Sequence, residues 1–280
     1  MVYNSMDKFK KRKTMSDQHA TPITVLSKTV WSPTLFSFTT TRPDGFRFDA
    51  GQFARLGINP SELANAKNAP NERIFRAYSV VSSPYDEELE FFSVVVPDGA
   101  FTSQLQHLTV GDTLYLNPEP FGFLTLARYQ EPAPKDLWLL ATGTGLAPFL
   151  SMLGDLTTWQ NYSDIVLVYS ARTQAELAYL DKIHELNQQF SELTDNPAKL
   201  HFVPIITREK VENCLNARIP ALIDSGELEN FVGLNLNPAT SHVMLCGNPQ
   251  MVDDTKESLK NKGLAMNRRG VGNIAVENYW

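Results

Sequence analysis

The sequence LWLLATGTGLAPF, residues 137–149, carries the clearest structural signal in this 280-residue chain. Five apolar residues and a threonine lead into two glycines, Gly143 and Gly145, and Pro148 follows shortly after. Glycine lets the backbone approach a ligand closely, and proline suits the first turn of a helix. The segment therefore predicts a buried strand, a tight turn and a helix, which is the repeating unit of a parallel α/β sheet.

The same order of strand, loop and helix recurs after this segment. Further apolar strands are predicted at DIVLVYSA (164–171), LHFVPIIT (200–207) and HVMLCG (242–247). Helical patterns follow the four strands at 148–159, 174–190, 219–226 and 249–262. Apolar strands that alternate with helices are typical of a parallel sheet covered on both faces, so we predict an α/β domain over residues 136–280.

The preceding half of the chain has a different spacing of turns and apolar residues. Turn signals recur roughly every eight to twelve residues between short runs rich in Val, Phe, Thr and Tyr, which predicts an antiparallel barrel or sandwich. Six strands are predicted at 21–31, 34–41, 52–58, 75–83, 89–96 and 112–119, with a short helix at 101–108. We predict a first domain over 21–130, a proline-containing linker at 128–136 and a disordered, basic extension over 1–20.

Composition and charge argue against several classes of protein. The net charge of −6 gives no support for general nucleic-acid binding. The two cysteines, Cys214 and Cys246, are far apart and the five histidines lack ligand spacing, so we predict no metal site. No apolar run reaches the roughly 20 residues of a membrane span, and no signal-peptide pattern opens the chain. We therefore expect no membrane association and a cytoplasmic location.

Two glycine-containing turns are predicted at the carboxyl ends of strands, where open α/β sheets bind their ligands. The first contains Gly143 and Gly145. In the second, CGNPQM (246–251), Gly247 ends a strand, Asn248 can cap the next helix and Pro249 opens it. Each turn alone is a weak signal, because any α/β protein needs such turns, but together they predict a nucleotide cleft.

Two arginines lie at the ends of the next two strands. Arg172 stands where an NAD-binding sheet would place an acid for the ribose hydroxyl, and Arg208 ends the following strand. Guanidinium groups bind phosphate through charge and paired hydrogen bonds, so these residues favour NADP over NAD. The alternative is that both are solvated surface arginines.

A further candidate site lies in the first domain, at RAYSVVSSP (76–84). Arg76, Tyr78 and Ser79 fall on one predicted strand, and Thr102 begins the short helix after the next strand. A helix N-terminus binds phosphate, and a nearby arginine would neutralise the same group. The alternative is an ordinary barrel strand with an exposed arginine and a packed tyrosine.

Five motifs, RAYS, PDGAFTSQL, ATGTGLAP, CGNPQM and the terminal ENYW, occur in the order and spacing of ferredoxin-NADP reductases. The chain resembles the bacterial type of this family over residues 21–280. The resemblance implies an FAD-binding antiparallel β-barrel followed by an NADP-binding α/β domain, whose last residues return to the flavin.

The resemblance also assigns residues to the cofactors. FAD would be bound by Arg76, Ala77, Tyr78, Ser79, Phe92, Ser93, Val94, Val95, Ala100, Phe101, Thr102, Thr144, Tyr279 and Trp280. NADP would be bound by Thr144, Gly145, Ala171, Arg172, Thr207, Arg208, Arg218, Cys246, Gly247 and Asn248. In this assignment Arg76 would hold the pyrophosphate, while Tyr78 and Trp280 would cover the two faces of the flavin.

The implied reaction is hydride transfer between nicotinamide and flavin N5, followed by single-electron transfer to ferredoxin or flavodoxin. The implied catalytic residues are Ser79, Cys246, Glu277 and Trp280. Glu277 would stabilise charge or relay a proton, and Trp280 would move aside for nicotinamide. Cys246 could equally be a small buried hydrophobic residue. The alternatives to this function are an NADPH-dependent flavin or quinone reductase and a redox-sensing flavoprotein without turnover.

Acidic electron carriers need a basic docking surface. Arg268 and Arg269 lie close to the end of the chain and are candidates for that surface. A plain solvated pair is the alternative for these two arginines. We expect the protein to act as a monomer.

Overall fold

The computed structural model describes residues 17, 19–65, 70–129, 135–193 and 195–278. The chain divides into two units, Met1–Phe121 and Gly122–Trp280, and each unit contains one sheet. Within the described ranges, no helix combines the length and the apolar character needed to cross a bilayer.

The first unit is built on an antiparallel sheet. Its strands are β1 (Thr21–Ser32), β2 (Leu35–Thr41), β3 (Phe53–Ile58), β4 (Ile74–Ser79), β5 (Glu88–Val94) and β6 (Thr113–Leu116). They lie in the order β4-β3-β6-β1-β2-β5, with antiparallel pairing throughout. A bridge from Val80, directly after β4, to Phe91 of β5 joins the two edge strands. The sheet therefore closes into a barrel, which removes its open edges.

Alternation along the strands fills the barrel with apolar side chains. Strands β2 and β5 place Phe36, Phe38 and Phe91 in a row, with successive ring centroids 6.2 and 5.6 Å apart. All three rings are buried. A short helix, α1 (Thr102–Leu105), adds the buried side chain of Leu105. Aromatic residues suit such a pleated surface, which explains why this half of the sequence predicts strands.

The second unit is a parallel sheet with helices between its strands. The strands are β7 (Asp136–Thr142), β8 (Asp164–Ala171), β9 (Lys199–Ile206), β10 (Ser241–Gly247) and β11 (Ile274–Asn278). The helices are α2 (Ala147–Leu153), α3 (Leu156–Asn161), α4 (Leu180–Leu193), α5 (Ile219–Asp224), α6 (Glu227–Val232) and α7 (Pro249–Asn261). The strand order is β11-β10-β7-β8-β9, so the order reverses between β7 and β10. Ligands of open α/β sheets bind at such a reversal.

The central strands of this sheet are buried and mainly apolar because helices cover both faces. Leu137, Trp138 and Leu139 of β7 are successive residues, and all three are fully buried. Between the helices, Trp159 of α3 stacks on Phe190 of α4 with ring centroids 5.3 Å apart. The antiparallel barrel and the parallel sheet together confirm the predicted fold class.

Several elements of the second unit differ from the sequence-based prediction. The helix predicted at 174–190 begins only at Leu180, because Tyr179 has a left-handed backbone with φ of 65°. A short 3₁₀ turn, Gln174–Glu176, takes the place of its first residues. The helix predicted at 148–159 is divided into α2 and α3. Neither α6 nor β11 was predicted, because runs of five or six residues carry too little periodicity.

The exact domain bounds, 130 and 136, stay predictions. In the structure, residues 122–129 belong to the second unit. The ring of Tyr129 stacks on His242 with centroids 3.6 Å apart. Tyr129 Oη donates to the carbonyl oxygens of Val243 and Asn273, each 3.1 Å away. Tyr129 therefore attaches the start of this unit to the beginning of β10.

We expect Tyr129→Phe to lower the free energy of unfolding by about 1–2 kcal/mol, because it removes a buried hydroxyl that two carbonyl oxygens share. Tyr85→Phe is the matched control, since Tyr85 is 72% exposed and its change should be below about 0.5 kcal/mol. Urea unfolding measures both values. Equal losses in the two variants would contradict this role for Tyr129.

Candidate functional site

The carboxyl ends of β7 and β10 pack against each other through two glycines. A β-carbon on Gly145 would overlap the carbonyl oxygen of Cys246 and lie 2.7 Å from the Cα of Gly247. A β-carbon on Gly247, where φ is +137°, would lie 2.7 Å from the carbonyl oxygen of Thr142 and overlap its Oγ1. Real β-carbons essentially never come within 3.0 Å of such atoms. Glycine is therefore required at both positions of this crevice.

Hydrogen bonds hold the two turns together. The backbone N–H of Asn248 donates to Thr142 Oγ1 at 3.0 Å, and the Asn248 side chain accepts from two N–H groups in the first turn of α7. On the other side, the 3₁₀ turn Gly143–Leu146 continues into α2, and Thr144 within it is partly exposed. Two helices therefore begin at the crevice, where their N-terminal amides favour an anion.

The loops after β8 and β9 are joined by backbone hydrogen bonds. The N–H of Thr207 donates to the carbonyl oxygen of Ala171 at 3.1 Å, and that of Arg208 donates to Arg172 at 2.9 Å. Arg172 and Arg208 therefore follow the ends of adjacent, hydrogen-bonded strands, and both are exposed. Two guanidinium groups on neighbouring loops are suited to binding one phosphate.

The carboxylate of Glu176 binds Arg172 through three hydrogen bonds. Arg172 Nη2 donates to Oε1 at 2.6 Å, and Arg172 Nε and its backbone N–H each donate to Oε2 at 3.1 Å. Partial burial raises the pKa of Glu176, but these bonds and the charge of Arg208 lower the pKa more, so that it lies below its ordinary value. Glu176 is therefore ionised at neutral pH.

Arg218 lies on a segment that runs beside the loop of Arg208. In this segment Asn216 Nδ2 donates to the carbonyl oxygen of Ile206 at 2.5 Å and also to that of Glu209. Arg218 is the N-cap residue of α5, two positions further along, and it is exposed. Asn216 thus holds the segment of Arg218 against the end of β9.

Strand β11 places Glu277 beside Cys246 in the parallel register. Cys246 is fully buried, whereas Glu277 is partly buried. Oε2 of Glu277 has no hydrogen-bond partner in the described part of the chain. Burial raises the pKa of Glu277 to about 7. A carboxyl group with this pKa can hold or release a proton at neutral pH.

In the first unit, β4 ends on a buried hydroxyl group. Ser79 is 3% exposed, and its Oγ has no partner among the residues that the structure describes. The adjacent Tyr78 packs on Phe91 and Phe101, with ring centroids 6.5 and 5.6 Å away, and its Oη shares a 2.9 Å hydrogen bond with Ser93 Oγ. Burial raises the pKa of Tyr78 to about 12, so the phenol is neutral. An unpartnered buried hydroxyl is unfavourable unless a ligand satisfies it.

The other residues predicted to bind FAD in this unit lie on β4, on β5, in the loop between β5 and α1, and at the first residue of α1. Their side chains are exposed for Arg76, Ala77 and Ala100, partly buried for Val94, Val95 and Thr102, and buried for Phe92, Ser93 and Phe101. Arg76 Nη1 donates to the carbonyl oxygen of Phe75 at 2.8 Å. Thr102 Oγ1 accepts from the N–H of Val96 at 3.0 Å, which attaches the start of α1 to the loop just after β5.

The chain is similar to known proteins over most of its length. Residues 139–257 match the oxidoreductase NAD-binding domain family. A ferredoxin–NADP reductase of Pseudomonas aeruginosa is 40% identical, over 88% of this chain and 91% of its own. A flavodoxin/ferredoxin–NADP reductase of Escherichia coli is 41% identical, over 89% and 94%. This chain belongs to the ferredoxin/flavodoxin–NADP reductase family.

The crystal structure of a family member supports the same assignment. It is a ferredoxin NADP⁺ reductase from Neisseria gonorrhoeae with bound FAD and NADP. It is 35% identical to this chain, with a TM-score of 0.81, and the match covers 92% of this chain and 98% of that one. The family resemblance drawn from the five sequence motifs is therefore confirmed.

In the protein studied, the structure brings most of the residues predicted to bind NADP together in two groups. The crevice contains Thr144, Gly145, Cys246, Gly247 and Asn248, and the paired loops contain Ala171, Arg172, Thr207 and Arg208. Arg218 lies on the adjoining segment. Tyr279 and Trp280 lie outside the described residues. The binding and catalytic roles of all these residues stay predictions.

Three residues of the site were not predicted. Glu176 stands four positions after Arg172, but a loop and a 3₁₀ turn separate them, so the helical spacing rule does not predict their ion pair. Glu209 Oε2 accepts from the N–H of Gln174 at 2.8 Å and so joins the two loops. Thr142 supplies the hydroxyl between the two glycine turns. The last two depend on contacts between distant parts of the chain, which no local pattern reveals.

We expect Gly247→Ala to lower the free energy of unfolding by at least about 3 kcal/mol, because the added carbon would collide with Thr142. Gly226→Ala is the control, since φ there is +75° but nothing lies within 4 Å of the added carbon. Its loss should be about 1–2 kcal/mol, from backbone strain alone. Thermal and urea unfolding compare the variants. Similar losses would show that close packing does not restrict position 247.

Proposed function

We propose that this protein is an FAD-dependent reductase that exchanges hydride with NADPH and passes single electrons to ferredoxin or flavodoxin. The observation that carries this proposal is the arginine pair, Arg172 and Arg208, on the loops next to the glycine crevice. A dinucleotide with an additional phosphate has the charge for this arrangement and binds at the carboxyl ends of such strands. The Neisseria structure, which holds both FAD and NADP, supports the same function.

The residues of the first unit fit FAD. Ser79 has a buried hydroxyl without a partner among the described residues, and a polar atom of the flavin ring would satisfy it. Tyr78 contributes an aromatic ring that its hydrogen bond to Ser93 holds in place. The exposed guanidinium of Arg76 supplies positive charge for the pyrophosphate. These properties support the FAD assignment drawn from the family resemblance.

The residues of the second unit fit NADP. Gly145 and Gly247 leave the strand ends free of side chains, so the backbone can approach the pyrophosphate. Arg172, Arg208 and Arg218 offer three guanidinium groups to the adenosine 2′-phosphate. An NAD site would need an acid free to accept from the ribose hydroxyl, whereas the acid in this loop is occupied by Arg172.

When bound, FAD accepts hydride from NADPH and gives up electrons one at a time. The side chains of this protein would therefore bind the two cofactors, orient them and exclude water from them. Ser79 Oγ would hold the flavin through a hydrogen bond. The fully buried Cys246 keeps water from its end of β10. Glu277, with its pKa raised by burial to about 7, stores a proton at its carboxyl group and releases it when the charge nearby changes.

Two other activities would use the same cofactors. An NADPH-dependent flavin or quinone reductase would reduce small acceptors at rates that ferredoxin and flavodoxin do not change. A redox-sensing flavoprotein would keep its flavin absorbance when NADPH is added. The names of the curated relatives favour a protein carrier. The cytoplasmic location and the monomeric state stay predictions from the sequence.

We expect the purified protein to show flavin absorbance that NADPH bleaches much faster than NADH. We also expect Arg208→Ala to raise the Kd for 2′-phospho-AMP about tenfold and to leave the Kd for 5′-AMP unchanged, because only the former has the additional phosphate. Lys210→Ala, in the same loop, is the control. Calorimetric titration measures both nucleotides. Equal bleaching by NADH and NADPH would show that the NADP assignment is wrong.

A basic and apolar patch on the second unit supports a protein carrier as electron acceptor. Arg268 and Arg269 are exposed, and a bridge between Arg268 and Val271 closes the turn that contains them. Val271 is 65% exposed. Exposed apolar side chains among cations suit an acidic protein partner. We propose residues 268–271 as part of the docking surface.

Arg128 extends this patch. Its Nε donates to Asn267 Oδ1 and its Nη1 donates to the carbonyl oxygen of Phe123, each at 3.2 Å. The ring of Phe123 is 81% exposed, which is unusual for phenylalanine. Arg128 thus connects an exposed aromatic ring to the segment that leads into the two arginines.

We expect the double variant Arg268→Glu, Arg269→Glu to raise the KM for ferredoxin or flavodoxin at least about tenfold, because it reverses two charges that attract an acidic carrier. Ferricyanide reduction should stay unchanged. Lys199→Glu combined with Lys260→Glu makes the same change of charge at exposed positions elsewhere. Steady-state reduction of each acceptor by NADPH is measured. An unchanged KM for both carriers would place the docking surface elsewhere.

A further inference from the structure

An acidic residue lies within the loop to which we assign the 2′-phosphate. Glu176 is ionised and would repel a phosphate, yet it shares three hydrogen bonds with Arg172. A charge that opposes the ligand within its own site needs a physical explanation. The geometry of the pair supplies one.

The guanidinium group of Arg172 has five N–H donors in one plane. Glu176 takes the edge formed by Nε and Nη2. The neighbouring edge, formed by Nη1 and the second hydrogen of Nη2, lies in the same plane but points in a different direction from the edge that Glu176 occupies. The side chain of Arg172 is 53% exposed, whereas that of Glu176 is 20% exposed. Glu176 therefore occupies the inner edge and leaves the outer edge for a second acceptor.

Glu176 is itself held by several parts of the second unit. Its carbonyl oxygen accepts from Tyr169 Oη at 3.1 Å and from the N–H of Ala178 at 3.0 Å. Glu209, from the loop of Arg208, binds the first residue of the turn Gln174–Glu176. A carboxylate on such a support can fix a long, exposed arginine in one orientation.

We propose that Glu176 positions Arg172 for the adenosine 2′-phosphate and thereby increases the preference for NADPH over NADH. The proposal rests on the function proposed above. Arg172 would otherwise lose side-chain entropy when phosphate binds, and Glu176 removes much of that loss in advance. The repulsion is outweighed because Arg172, Arg208 and Arg218 contribute three positive charges against the two carboxylates of these loops, those of Glu176 and Glu209.

The test is the variant Glu176→Gln in the FAD-loaded protein, titrated calorimetrically with 2′-phospho-AMP and with 5′-AMP. The amide keeps the size of the side chain but loses its charge and cannot accept at both ends. We expect the Kd for 2′-phospho-AMP to rise about five- to tenfold and the Kd for 5′-AMP to stay unchanged. Glu257→Gln is the matched control, since it breaks an exposed ion pair with Lys260 on α7.

A double-mutant cycle separates positioning from general loop structure. If Glu176 acts through Arg172, Glu176→Gln no longer weakens the binding of 2′-phospho-AMP once Arg172→Ala is present. Tighter binding of 2′-phospho-AMP, equal weakening of both nucleotides, or no change would each overturn the proposal. A wild-type protein that binds the two nucleotides equally would overturn the proposed use of NADP itself, and the role of Glu176 with it.

Discussion

The close contact between the ends of β7 and β10 is the constraint on which the dinucleotide crevice depends. Neighbouring strands in a sheet lie about 4.8 Å apart, so two chains that both turn into helices there compete for the same space. Gly145 and Gly247 remove that conflict because neither carries a β-carbon. The bond from Asn248 to Thr142 then joins the two turns. Two helix N-termini and a bare backbone become available to an anion as a result.

The positive charges of the proposed phosphate site are concentrated on two loops. The chain as a whole has a net charge of −6, but Arg172 and Arg208 extend from adjacent loops. Exposed arginines interact weakly in water and have many rotamers, so their number alone says little about affinity. Glu176 gives one of them a defined orientation. A phosphate site of this kind depends on how the cations are held as much as on how many there are.

Two buried polar atoms break the rule that interior polar groups are paired. Ser79 Oγ and Glu277 Oε2 have no partner among the described residues. Proteins retain such groups chiefly where a ligand or a reaction uses them. Both residues belong to motifs that suggested cofactor chemistry from the sequence, RAYS and ENYW, but burial without a partner is a property that only the folded chain has.

The amino-acid sequence alone predicts the antiparallel and parallel sheets, the glycine turns and the N-cap at Asn248, because strand periodicity, glycine, proline and capping residues act over a few positions. It did not determine the strand order, the bridge from Val80 to Phe91 or the start of α4 at Leu180, where local backbone geometry overrides the helical pattern. Only the folded chain brings Arg172 and Arg208 onto adjacent loops and lets Glu209 join those loops. Such contacts join residues far apart in the chain, so their energy exists only after the strands have paired.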